Sequence, residues 1–128
     1  DHFIEEAQEK PNEYKGDVYI LMNNRTGGLS ALMVSVLQCY NRAWLAGAPS
    51  WQRGIFFNSE ILVELSKTKF TIIVPTTKAY LPCNAKRDQS ISPDIPISPR
   101  FEDLLRGDDS VLLQLMEIVN SKAQQTRN

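Results

Sequence analysis

GDVYILMNNRTGGLSALMVSVLQCY, residues 16–40, sets an apolar run, a glycine-containing turn and a second apolar segment in succession. Val18, Tyr19, Ile20, Leu21 and Met22 form a continuous apolar run with no polar alternation, the pattern of a strand buried on both faces of a parallel sheet. Residues 23–28 supply a turn. Beyond it Leu29, Leu32, Met33, Val36, Leu37 and Tyr40 recur at helical spacing, which predicts an amphipathic helix over 29–40 packed across a central strand. An α/β core organised on strand, tight turn and helix is the expectation.

The first N–H groups of such a helix lack intrahelical partners and, with the positive end of the dipole, suit a negative charge. Nucleophiles are often placed at this kind of turn. Thr26 and Ser30 are the hydroxyls available, separated by Gly27, Gly28 and Leu29. The plainer reading is that the two glycines only permit a sharp start to the helix.

Upstream, Phe3, Ile4 and Ala7 among acidic residues predict a short helix stopped by Pro11. Downstream, AWLAG at 43–47 is a second short apolar run, fitting a parallel strand that closes a βαβ unit, and 48–54 is a loop. Alternation over 60–65 and 70–74, with 66–69 between, predicts a β-hairpin. The segment 82–99 holds Pro82, Pro93, Pro96 and Pro99 and reads as an ordered, extended surface loop. Ser98 and Pro99 suit the N-cap and first residue of a helix running through Leu104 and Leu105, and Gly107 suits its end. Asp108 or Asp109 can cap a last helix with an apolar face of Val111, Leu112, Leu115, Met116 and Val119, before a polar tail at 121–128. No internal repeat is visible.

A chain of 128 residues, 42% hydrophobic, can bury a core as one domain over 1–128. With 14 basic against 15 acidic residues and a pI near 5.8, no basic field argues for nucleic acid or an anionic membrane. No apolar run reaches the roughly 20 residues of a membrane span, and DHFIEEAQEK lacks the features of a signal peptide. Cys39 and Cys83 do not have the spacing of a disulfide framework or a metal site, so no metal and no cofactor is expected. His2, the one histidine, sits at the chain end, which disfavours a histidine-based triad.

The succession GDVYILMNNRT, helix, RAWLAGAPS, alternating strand, KFTIIVPTTKAY, SPDIPI and EDLLRGDDSVLLQLMEIV resembles the C-terminal half of the catalytic core of the C-terminal processing, or tail-specific, serine proteases. The resemblance covers about residues 15–120. It implies a crotonase/ClpP-like α/β core with parallel central strands, a packed helix, a β-hairpin and C-terminal helices, and a bacterial, periplasmic or otherwise extracytoplasmic setting. In that family a Ser–Lys dyad cleaves the peptide. A Thr-x-Ser precedes the helix, so Thr26 matches the threonine and Gly28 falls on the nucleophile. The lysine lies twenty-five residues later in a Gly-Lys-Gly, and the same count reaches Arg53, followed by Gly54. Some members have an aspartate eleven residues after the serine, where Cys39 stands.

These departures remove the chemistry. Glycine has no side chain to acylate, and arginine stays protonated and cannot accept a serine proton. Shifting the register by two makes Ser30 the nucleophile, but then no lysine keeps the spacing. The family also has an upstream PDZ-type domain and first core strands, including a Gly-Gly segment near the oxyanion, which this stretch does not contain. The resemblance therefore implies a degenerate domain that holds peptide segments or C-termini without cutting them, through Gly27, Gly28, Leu29 and Arg53. The alternatives are an active endopeptidase of the family completed by residues outside this chain, or a structural module for oligomerisation. The partners implied are peptide or protein C-termini and the missing upstream half of the core or a second copy; no nucleic acid is implied.

Overall fold

The computed structural model describes residues 11–82 and 88–125. The expected helix around Phe3 to Ala7, His2 and Cys83 lie outside them. The order is β1 (Tyr19–Met22), α1 (Leu29–Cys39), β2 (Trp44–Gly47), β3 (Ile55–Glu64), β4 (Thr71–Tyr80), β5 (Ile95–Pro96), α2 (Phe101–Arg106) and α3 (Ser110–Gln125). β1, β2 and β5 form a parallel sheet in the order β1-β2-β5, and β3 pairs antiparallel with β4.

The continuous apolar character expected of β1 belongs more fully to β2. Adjacent strand residues point to opposite faces, and in β2 both Leu45 and Ala46 are completely buried. Leu45 joins Met22, Ala31, Val34, Leu81 and Ile91 in one core cluster, while Ala46 joins Ile97 and Leu115 in another. The sheet is thus covered by α1 on one face and α3 on the other. Among the described strands β2 is the middle one, and β1, expected to be central, lies at the edge with Leu21 exposed.

α1 forms where its spacing predicts, with a different face inward. Ala31, Val34 and Ser35 are buried, Leu32 packs against the core only in part, and Leu29 and Met33 are exposed. The reason is steric. Small residues let the helix lie close on the sheet, and the Ser35 hydroxyl finds a partner by donating to the Pro82 carbonyl at 3.1 Å.

The hairpin is longer than the alternation suggested, because pairing continues from Glu64↔Thr71 out to Ile55↔Tyr80. Its four-residue loop closes with Leu65 and Phe70 and places Lys69 in a left-handed conformation at φ 61°. Phe57, Ile61, Leu62, Phe70 and Ile73 are all exposed along it.

The proline-rich segment is not simply a surface loop. Ile91 and Ile97 are buried, and residues 95–96 add β5 to the sheet, since the Ile97 N–H donates to the Gly47 carbonyl at 3.0 Å. Asp94 fixes this segment by accepting from the Leu45 N–H at 2.8 Å and from Gln38 Nε2 at 2.9 Å. α2 starts later than expected: its N-cap is Arg100, not Ser98, and no side chain caps it. Gly107 ends it at φ 78°, as the pattern required, and Asp109 accepts from the Leu112 N–H to cap α3. α3 runs through Gln125 rather than fading at 121. Val111, Leu115, Ile118 and Val119 face the sheet, while Leu112 and Met116 are exposed.

The buried Ser110 hydroxyl donates to Asp103 at 2.7 Å and accepts from the Arg100 N–H at 2.7 Å, tying α2 to α3. That hydroxyl, together with Arg106 on the other carboxylate oxygen, holds the Asp103 carboxyl below its ordinary pKa against the opposing effect of burial. Being buried, this Ser–Asp pair is a structural joint.

Candidate functional site

The turn between β1 and α1 is wrapped by its own side chains. Thr26 Oγ1 accepts from the Asn23 N–H at 3.1 Å, Asn23 Oδ1 accepts from the Arg25 N–H at 2.8 Å, and the Thr26 N–H donates to the Asn23 carbonyl at 2.9 Å. Thr26 is therefore engaged in shaping the turn. Gly27 lies against the Trp51 ring so closely that a Cβ would stand 2.2 Å from the indole nitrogen.

Gly28 is the N-cap of α1 at φ 59° and ψ −132°, a conformation that favours glycine. A Cβ built there meets nothing within 4 Å. A strained strand-to-helix turn that aims its side chain into open space is the way several hydrolases present a nucleophile. Here the position carries no atom to react.

The loop 48–54 faces this turn and is held rigidly by the segment beyond the hairpin. The Ser50 N–H donates to the Ile91 carbonyl at 3.1 Å, and Ser50 Oγ accepts from the Ile91 N–H at 3.0 Å and donates to the Gln52 carbonyl at 2.7 Å. Arg53 bridges to Ser90, and the Gly54 N–H donates to the Gln89 carbonyl at 3.1 Å. Gln52 is buried, and its Oε1 accepts the Gly28 N–H.

Between the two segments lies a cavity of about 680 Å³, bounded by Gly28, Leu29, Leu32, Gln52 and Arg53 and by the first residues of β3. The structure thus brings three of the four expected site residues, Gly28, Leu29 and Arg53, to one cavity, and Gly27 to the indole beside it. Arg53 is exposed, and among the described residues no carboxylate pairs with it. One donor expected to serve an anion is already occupied, since the Gly28 N–H goes to Gln52. The next N–H groups, of Leu29 and Ser30, have no helical acceptor. Ser30 lies exposed in the first turn of α1 and does not line the cavity. Cys39 is disulfide-bonded, which its spacing in the sequence did not suggest.

Sequence reasoning missed Gln52, Trp51, Ile55, Phe56 and Phe57, all of which line the cavity. The one signal that could have found Gln52 was its place beside Arg53 in the loop 48–54. No protein-family model matches the chain, and no curated protein matches it. Among the described residues no helix is long and apolar enough to cross a membrane.

Proposed function

We propose that this chain is a degenerate domain of the tail-specific-protease type, with a crotonase/ClpP-like core, that binds peptide segments or C-termini without cleaving them. The observation that carries this reading is that Gly28 and Arg53, twenty-five residues apart, bound one cavity at the start of α1, with open space where a side chain at 28 would stand. The mostly apolar wall suits a peptide side chain, and a few polar groups at its edge can fix orientation. Arg53 supplies a permanent charge and a planar fork suited to a carboxylate. An oxidising, extracytoplasmic compartment is part of the reading, supported by the disulfide-bonded Cys39.

A short peptide with a free C-terminal phenylalanine and its amidated twin, titrated against wild type and Arg53→Met, test this. A charge-assisted pair contributes about 1.5–3 kcal/mol, so the acid is expected to bind wild type about one to two orders of magnitude more tightly than the amide. Arg53→Met is expected to abolish that difference.

A second reading, an assembly module joining copies of this chain, is favoured by the hairpin. β3 and β4 pair only with each other among the described residues, and each leaves a free edge beside exposed Phe57, Ile61, Leu62, Phe70 and Ile73. Pro75 in β4 and the left-handed Ser59 in β3, at φ 56°, interrupt those edges midway. Equal binding of both peptides to both proteins would remove the carboxylate pocket and leave this second reading.

A further inference from the structure

We propose that the side-chain amide of Gln52 is a hydrogen-bond donor for a ligand's acyl oxygen, whether a peptide carbonyl or a C-terminal carboxylate. This rests on the reading of the Gly28–Arg53 cavity as a binding site and names the group that grips what enters it. Gln52 is only 5% exposed, so its polar atoms are out of water. Oε1 is committed to the Gly28 N–H, which assigns the two ends of the amide and holds the group against the first turn of α1. Nε2, with two N–H donors, has no partner among the described residues. A buried amide donor is almost always satisfied in a folded protein, and one that is not points to a partner arriving from outside.

Folding needs only the other half of this amide. The Gly28 N–H needs only the oxygen of this side chain, which a glutamate at 52 would also provide, so the NH₂ end is surplus to the cap. The site is built, because Ser50 pins the Gln52 carbonyl and Arg53 bridges to Ser90 immediately after it. Leu29, Leu32, Trp51, Ile55 and Phe56 around the cavity offer apolar side chains, apart from the indole N–H that lies against Gly27. Because Gln52 accepts from the helix terminus, that bond polarises the amide and strengthens its NH₂ as a donor. The positive end of α1 thereby acts on the ligand through a side chain.

The test follows the Gln52 side-chain NH₂ resonances of ¹⁵N-labelled wild type, assigned by their loss in Gln52→Glu, during titration with N-acetyl-alanyl-phenylalanine and with its C-terminal amide. Both probes are expected to shift the Gln52 NH₂ pair together with the backbone amides of Gly28 and Leu29. Gln52→Glu, which keeps the acceptor for Gly28 but replaces the donor with a negative charge, is expected to weaken binding of both probes at least tenfold. A shift with the acid alone identifies the oxygen as a carboxylate. Equal affinities with the Gln52 pair moved by both would sustain the donor while removing the carboxylate preference. Movement of Gly28, Leu29 and Arg53 with the Gln52 pair unmoved would overturn the role of Gln52 and spare the cavity. No movement anywhere around the cavity would overturn both.

Discussion

Replacing Gly47 with alanine is expected to lower the thermal midpoint by more than about 10 °C or to abolish the cooperative transition, measured by circular dichroism. Gly47 ends β2 at φ 120°, and a Cβ there would stand 2.2 Å from the Met22 carbonyl oxygen. The obstacle is backbone, which no rotamer change can relieve. Nor can either strand retreat cheaply. Met22 and Gly47 are register partners, the Ala48 N–H donates to that same Met22 carbonyl at 3.1 Å, and the Gly47 carbonyl accepts from Ile97 on the other side. Backbone strain of about 1–3 kcal/mol and overpacking of similar size together approach the whole stability of a small domain. A variant that melted like wild type would show that the β1–β2 contact is looser than described.

Gly28→Val is expected to behave differently, keeping the fold and losing the ligand. Its backbone angles penalise any side chain, and a β-branched one most, at roughly 1–3 kcal/mol. That is a fall of several degrees in midpoint for a chain of this size. With nothing within 4 Å of the added Cβ, no clash compounds the strain. Gly28 lines the cavity, so valine there adds its bulk at the cavity wall. Affinity for the peptide acid is expected to drop below detection in titration calorimetry. Undiminished binding to a folded Gly28→Val protein would place the ligand elsewhere.

The contrast between these glycines shows where sequence reading works and where it stops. Apolar spacing predicted β1, the turn and α1, and the short apolar run at 43–47 predicted β2, as elements of the chain. It did not give the buried face of α1: the apolar stripe through Leu29 and Met33 is stronger in the sequence than the Ala31, Val34 and Ser35 face that small size lets approach the sheet. β5 was hidden because two residues among prolines carry no period, and their pairing depends on Gly47 and on Asp94, which are close only after folding. At the site, the pairing of Gly28 with Arg53 came from the resemblance to the tail-specific proteases and the residue count it implies. Gln52 did not, since its importance lies in a hydrogen bond to Gly28 across twenty-four residues.

In the proposed function the cavity takes a peptide and has no group with which to cut it. The most direct measurement is prolonged exposure of the full chain to a fluorophosphonate at high concentration, with peptide mapping of any adduct. A position without a nucleophile and an arginine in place of a base predict a chain whose mass is unchanged. A specific adduct on Ser30, or on any other serine, would overturn the non-cleaving function and make this chain a working serine hydrolase.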